Sequence, residues 1–138
     1  MQIQFSLLAP DLVKQNQVKK ICDENDIDFL AYSPLSFGIL CIDPDKDENR
    51  ESTILRNVLF ENYKKPTYEL RKCLKRIANQ RSVSQAQVAI NWCCYQGTIP
   101  LVGMRKRSQI LDISNVFNWN LNKIEFELLQ EVSNRCLK

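Results

Sequence analysis

Three short apolar segments, each followed by a helical pattern, constrain the fold of this chain more than any other feature. The segments are residues 3–8, 27–32 and 98–102. The spacing of apolar residues predicts helices over residues 11–24, 67–80, 85–95, 108–117 and 122–136. Strand–helix–strand order with short connections is typical of βαβ units, whose strands are parallel. The sequence therefore predicts an α/β fold with three parallel strands.

Capping residues mark the ends of two of these helices. Ser82 or Ser84 is the expected N-cap of the helix that precedes Gly97, because a hydroxyl can accept a free backbone N–H there. Gly97 fits the left-handed position that ends the same helix. Asn120 or Asn122 is the expected N-cap of the last helix. Residues 36–66 are polar and irregular, and we expect a loop there that holds a turn or two of helix.

The scarcity of glycine separates two α/β architectures. Only three glycines occur, at positions 38, 97 and 103, so the G-x-G-x-x-G fingerprint of open dinucleotide-binding sheets is impossible. The strands are also short and uniform. These features favour part of a TIM (β/α)8 barrel, a fold that carries its chemistry in the loops after the strands.

Composition is that of an ordinary globular domain, which we assign to residues 1–138. Hydrophobic residues make up 44% and charged residues 25%, and the formal net charge of +3 is too small to predict a nucleic-acid surface. No apolar run approaches the length of a membrane span, and the N-terminus lacks a signal-peptide pattern. We therefore expect no nucleic-acid or membrane partner and a cytoplasmic location, with any targeting segment lying upstream.

Cysteine and histidine usage limits the chemistry of the chain. Six cysteines occur without a CxxC pair, and histidine is absent. We therefore expect no metal site, reduced thiols that serve as small core residues, and one more exposed side chain in the vicinal pair Cys93–Cys94. Any catalysis that needs histidine is excluded for this chain alone.

Two loops that follow predicted strands carry the candidate binding residues. The segment Ser33-Pro34-Leu35-Ser36 offers hydroxyls after the second strand, and residues 103–109 follow the third. Gly103 allows the backbone to approach an anion, the next helix directs its positive end towards it, and Arg105, Lys106 and Arg107 add three cations. From these residues alone, two interpretations stay open: a phosphate-binding turn, and a solvated basic turn or short address signal.

The order and spacing of these motifs resemble the C-terminal half of the aldo-keto reductases, from the sixth barrel strand onwards. FLAYSPLSFGIL is similar to the seventh strand and its loop, and SVSQAQVAINW is similar to the helix that follows. IPLVGMRKRSQI resembles the eighth strand with the family's phosphate turn, and NVFNWNLNKIEFELL resembles the closing helix. The resemblance covers almost the whole chain and implies an NADP(H)-dependent oxidoreductase that interconverts carbonyls and alcohols by hydride transfer.

The resemblance also implies a role for each candidate residue. Gln2 matches the glutamine that binds the nicotinamide carboxamide, and Tyr32 matches the aromatic residue that stacks on the nicotinamide ring. The remaining matches are to the pyrophosphate loop (Ser33, Leu35 and Ser36), the turn around the 2′-phosphate (Gly103, Met104 and Arg105) and the adenine end (Gln109).

Departures from the family pattern limit the expected activity. The family's catalytic aspartate, tyrosine, lysine and histidine belong to the first half of its barrel, so we expect this chain to be inactive alone. Met1 stands where a polar residue is usual, which indicates a start inside a longer coding sequence, and Ile113 replaces a frequent asparagine. Open edges of a partial barrel predict self-association or pairing with the missing half. A non-catalytic nucleotide-binding or regulatory module is the alternative function.

Overall fold

Three parallel strands form the sheet, as the sequence predicts. They are β1 (Gln2–Gln4), β2 (Leu30–Tyr32) and β3 (Ile99–Leu101), in the spatial order β1-β2-β3. The structure, a computed structural model, describes residues 1–9, 12–46 and 61–136, with the backbone alone for residues 12–15. Part of the predicted loop over residues 36–66, together with most of its predicted helical turn, lies outside the described residues.

Helices follow the strands in the order expected for consecutive β/α units. The five α-helices are α1 (Leu12–Glu24), α2 (Tyr68–Arg81), α3 (Gln85–Tyr95), α4 (Arg107–Ile113) and α5 (Lys123–Cys136). Two 3-10 segments, Ser36–Cys41 and Ser114–Asn118, follow β2 and α4 respectively. Residues 61–64 are also helical. This alternation is that of a partial (β/α) barrel.

The core lies between one face of the sheet and the helices. Phe5 packs between the rings of Phe29 and Trp92, with both centroid distances 5.3 Å. Ala31 is buried on the same side of the sheet. Residues at three- and four-residue spacing are buried in α2 (Leu70, Cys73, Leu74 and Ile77) and in α5 (Leu129, Val132 and Ser133).

The structure chooses between the alternative caps. Ser84 Oγ accepts the backbone N–H of Gln87 at 3.1 Å, so Ser84 and not Ser82 caps α3. Asn122 and Glu125 each accept the other's backbone N–H at 2.9 Å, a capping box at the start of α5. Gly97 has a φ of +70°, which confirms the left-handed position predicted for it.

All three strands and the helix after β3 are shorter than expected, and each strand has three residues. The first strand ends at Gln4, although the Phe5 N–H still donates to the Tyr32 carbonyl at 3.2 Å. The side chains of Phe5 and Leu7 are buried in the core. The helix after β3 has seven residues, and its expected second half is a 3-10 turn. On α1, Cys22 is buried and Ile21 is exposed.

The second face of the sheet is open to solvent. Strand register places Leu30 beside Ile99 and Tyr32 beside Leu101, so these four side chains point to one side. Tyr32, Ile99 and Leu101 are each more than 40% exposed, and Leu30 is half-buried. We refer to these four residues as the open sheet face.

Candidate functional site

The carboxyl ends of the three strands bring the predicted binding residues to one edge of the sheet. Gln4, Tyr32 and Leu101 are register partners in one row across β1, β2 and β3. The loop that begins at Ser33 and the turn that begins after Leu101 therefore leave the sheet side by side. In barrels this edge is where ligands bind.

Tyr32 and Gln2 share the solvent-facing side of the sheet. Gln2 is the register partner of Leu30, two residues before Tyr32, so the α-carbons of Gln2 and Tyr32 lie about 8 Å apart by standard sheet spacings. Gln2 is exposed, and the Tyr32 ring is 41% exposed. An aromatic side chain and a carboxamide thus stand near each other on the exposed side of the sheet.

The loop after β2 has an unusual backbone. Ser33, Ser36, Phe37 and Gly38 have φ values of 57°, 48°, 58° and 91°. Left-handed geometry at a residue with a side chain costs about 1 kcal/mol, so the loop needs compensating contacts. Two backbone bonds close it: Ser36 N–H donates to Ser33 O at 3.0 Å, and Gly38 N–H donates to Leu35 O at 2.8 Å.

The Ser36 side chain is placed differently from those of its neighbours. Ser36 is buried and its hydroxyl lies 2.8 Å from that of Ser6, whereas Ser33 and Leu35 are half-buried. Ser36 therefore joins two loops at the edge of the sheet, while Ser33 and Leu35 are the more accessible of the three.

The basic turn after β3 (residues 103–107) is exposed throughout. The Met104 side chain is 42% exposed, and Arg105, Lys106 and Arg107 are exposed as well. Gly103 has no positive φ, and a Cβ built on it would meet nothing within 4 Å. The packing of the described residues thus places no demand for glycine at 103, and the space beside its backbone is open.

Gln109 shapes the basic turn from within. Its Oε1 accepts the backbone N–H of Arg105 at 2.8 Å and that of Lys106 at 3.0 Å. Two amides at the start of α4 are therefore satisfied by this side chain. The Nε2 group is the part of Gln109 that stays free of this role and suits the predicted contact with the adenine end.

Asp112 fixes α4 to α3. Its Oδ2 accepts the hydroxyl of Ser84 at 2.6 Å, and its Oδ1 accepts the amide of Gln87 at 2.7 Å. The Gln87 Oε1 in turn accepts the indole N–H of Trp119 at 3.1 Å. The helix that follows the basic turn is thus held by a carboxylate with both oxygens engaged, which sets the position of the turn before any ligand arrives.

Sequence reasoning missed the buried polar residues that support the site. Ser6, Gln87 and Asn91 are buried, and Asn91 bonds the backbone oxygens of Val116 and Trp119 and the N–H of Leu121. Buried polar side chains normally need partners. Gln87 and Asn91, which flank the apolar run Val88–Ile90 and lie four apart on one helix, were the signal that could have indicated this role.

Comparison with known proteins identifies the family. The family model described as "Aldo/keto reductase family" matches residues 1–134. The chain belongs to the aldo/keto reductase family. This membership confirms the resemblance seen in the sequence.

Individual aldo/keto reductases agree with this assignment. The chain is 35% identical over 124 residues to the chloroplastic pyridoxal reductase of Arabidopsis thaliana, covering 90% of this chain and 33% of that protein. The fold matches the thermostable aldo-keto reductase Tm1743 with a TM-score of 0.68 at 14% identity, covering 95% of this chain and 38% of that one. An aldo-keto reductase complexed with NADPH matches with a TM-score of 0.63 at 17% identity, covering 95% and 34%.

These matches establish the fold and the extent of the likeness. The neighbours are aldo-keto reductase barrels, so the α/β architecture predicted from the sequence is confirmed as part of a TIM barrel. The chain spans about one third of the length of the curated relatives that it matches. Within the described ranges, none of the helices has the length and apolar character needed to cross a bilayer.

Proposed function

We propose that this chain is the cofactor-binding part of an NADP(H)-dependent reductase that interconverts carbonyls and alcohols. The observation that carries the proposal is that Tyr32, the loop after β2 and the basic turn lie together at one edge of the sheet. An aromatic face, hydroxyls and three cations match the nicotinamide, pyrophosphate and 2′-phosphate of NADP(H) in that order along the edge. The NADPH complex of a structural neighbour supports this choice of cofactor.

We propose binding residues for each group of the cofactor. Gln2 binds the carboxamide and Tyr32 stacks on the nicotinamide ring. Ser33 and Leu35 line the pyrophosphate, with Ser36 placed behind them. Around the 2′-phosphate we place Gly103, Met104 and Arg105, with Gln109 beside the adenine and Lys106 and Arg107 as additional positive charge.

The chemistry of these residues supports cofactor binding and orientation. When bound, the reduced nicotinamide supplies a hydride to a carbonyl carbon. Residues of this chain orient the ring through Tyr32 and Gln2 and neutralise phosphate charge through Arg105. Carbonyl reduction also needs a proton donor, and the family's donor belongs to the first half of the barrel. We therefore expect the purified chain to bind NADPH without consuming it when a carbonyl is added; NADPH oxidation above background would contradict this.

The decisive experiment compares NADPH with NADH. The unaltered chain is expected to bind NADPH at least tenfold more tightly, because a charge-assisted arginine–phosphate contact contributes roughly 1.5–3 kcal/mol. Arg105→Ala should remove most of this preference by weakening NADPH binding alone. Arg135→Ala, which removes an exposed arginine on α5, is the matched control and should leave both affinities unchanged. Equal affinities of the unaltered chain for NADPH and NADH would contradict the proposed 2′-phosphate contact and favour a solvated basic turn.

We also propose that the open sheet face is covered by protein, either a second copy of the chain or the missing part of the barrel. Three of its side chains are more than 40% exposed, and β1 and β3 are the edge strands of the sheet within the described residues. Sedimentation of the purified chain should show self-association that Leu101→Lys weakens. Ile124→Lys, on the exposed side of α5, should not change it. A monodisperse monomer would contradict self-association.

A cytoplasmic location is the remaining proposal. Its support is the cysteine usage of the sequence, which predicts reduced thiols of the kind usual in cytosolic proteins. The Arabidopsis relative is named as a chloroplastic protein, which gives the competing compartment. Microscopy of the natural coding sequence fused to a fluorescent protein would distinguish the two.

A further inference from the structure

Ser6 is a buried residue that the proposed cofactor contacts do not include. It follows β1, is completely buried, and its Oγ lies 2.8 Å from the Oγ of Ser36 in the loop after β2. The Ser6 Oγ also accepts the backbone N–H of Leu8 at 3.2 Å. A single hydroxyl thus connects the backbone after the first strand with the loop after the second.

The Ser36 end of this contact is the part of the loop that most needs support. Ser36, Phe37 and Gly38 are consecutive residues with left-handed φ values. At the far end of the same loop, the Gln85 amide donates to the carbonyl oxygens of Leu40 and Ile42, both at 3.3 Å. The loop is therefore held at two places, by Ser6 near its start and by Gln85 near its end.

The position of Ser36 also determines that of Ser33. The Ser36 N–H donates to the Ser33 carbonyl at 3.0 Å and closes the turn that carries Ser33 and Leu35. A shift of Ser36 would open this turn at the point where the proposed function places the pyrophosphate. Ser6 itself is fully buried, so it has no exposed atom with which to contact the cofactor directly.

We propose that Ser6 is a positioning residue for dinucleotide binding, acting through Ser36 to hold the Ser33–Leu35 turn in a pyrophosphate-binding geometry. This inference rests on the proposed function and deepens it. It makes the geometry of the pyrophosphate-binding turn depend on a pair of buried serines from the segments after β1 and β2. Recognition of the 2′-phosphate by the basic turn is separate from this pair.

The test uses two ligands that share the 2′-phosphate and differ in the pyrophosphate. Ser6→Ala should weaken NADPH binding about tenfold, the equivalent of one hydrogen bond's contribution to positioning. It should leave adenosine 2′-monophosphate binding unchanged, because that ligand reaches only the basic turn. Ser36→Ala removes the other hydroxyl of the same contact, so it should also weaken NADPH binding and leave adenosine 2′-monophosphate binding unchanged. The double variant should bind NADPH no more weakly than either single variant.

Ser133→Ala is the matched control for general destabilisation. Ser133 is also completely buried, and its hydroxyl donates to the Leu7 carbonyl beside Ser6 without touching the loop after β2. This variant should lose thermal stability as Ser6→Ala does, but keep NADPH affinity. Without ligand, amide hydrogen exchange at Ser36 and Gly38 should accelerate in Ser6→Ala and not in Ser133→Ala.

The binding results distinguish a failure of the role proposed for Ser6 from a failure of the proposed function. If the unaltered chain binds NADPH and Ser6→Ala binds it equally well, the positioning role is wrong and the proposed function stands. An equal loss of both ligands in Ser6→Ala would also overturn the role, since it would show general damage to the site. If the unaltered chain binds neither ligand, the proposed function fails, and the role assigned to Ser6 fails with it.

Discussion

Arg81 and Glu125 form a two-point ion pair that ties the end of α2 to the start of α5. The Nε–Oε1 and Nη2–Oε2 distances are both 2.8 Å, and the Glu125 side chain is only 13% exposed. Arg81 also lies 6.0 Å from the centre of the Trp119 ring. Because Glu125 caps α5 through the N–H of Asn122, one carboxylate joins two helices and begins one of them.

This pair predicts acid sensitivity. The hydrogen bond from Arg81 lowers the pKa of Glu125 below its ordinary value of 4.5. A carboxylate with a lowered pKa stabilises the fold above its unfolded pKa and loses that contribution as pH falls through the folded value. The unfolding free energy of the unaltered chain should therefore exceed that of Glu125→Gln by about 1 kcal/mol near neutral pH, and the difference should close below pH 4.5.

Chemical denaturation at several pH values measures this difference. Glu127→Gln is the control, because Glu127 forms an exposed ion pair with Lys123 at 3.7 Å. Such pairs contribute little, so its effect should stay within about 0.5 kcal/mol at every pH. A Glu125→Gln difference that persists unchanged in acid would show that charge on Glu125 is irrelevant.

Gln109→Ala should loosen the basic turn. The change leaves the N–H groups of Arg105 and Lys106 without their acceptor, at a cost of about 1 kcal/mol, and should accelerate amide exchange at those two residues. Gln109→Glu keeps an acceptor oxygen and should preserve the exchange rates, while its negative charge weakens NADPH binding. If Gln109→Ala left exchange at both amides unchanged, the turn would not depend on this side chain.

Asp112→Ala should release α4 from α3. It leaves the Ser84 hydroxyl and the Gln87 amide without their shared acceptor, which should cost about 2 kcal/mol of unfolding free energy. NADPH affinity should fall as well, because the basic turn precedes this helix. Asp23→Ala, which removes an exposed partner of Lys19, should cost far less. Combining Asp112→Ala with Gln87→Ala should be less than additive.

The vicinal cysteines should differ sharply in reactivity. Cys93 is fully buried and Cys94 is half-buried, in line with the expectation that one side chain of the pair is more exposed than the other. Burial raises the pKa of Cys93 strongly and that of Cys94 less. Because the thiolate is the reactive form, iodoacetamide should alkylate Cys94 in the folded chain and leave Cys93 unmodified, as peptide mass spectrometry would show. Equal labelling before and after denaturation would contradict this burial.

Local signals in the sequence predicted much of the fold. Apolar spacing and a serine cap placed α3 at residues 85–95, its observed bounds, and the glycine at 97 ended it as expected. The first strand was predicted to run on to residue 8 but ends at Gln4, because an apolar run such as IQFSLL suits a strand and a buried loop segment equally well.

The site was predictable in outline and not in its internal contacts. Motif residues such as Tyr32 and Arg105 stand at the sheet edge where the resemblance implies them, and their binding roles stay predictions. The Ser6–Ser36 contact joins residues 30 apart in the sequence, and the two bonds of Asp112 join α4 to α3. Such pairings depend on tertiary packing, which has no local periodicity to reveal it.

The open sheet face should affect how much of this polypeptide accumulates in a cell. Exposed Tyr32, Ile99 and Leu101 beside edge strands are the kind of surface that chaperones and proteases use to recognise unfinished proteins. We expect copies that find no covering partner to be removed by quality control. The amount of this polypeptide at steady state would then follow the supply of its partner surface more closely than its own rate of synthesis.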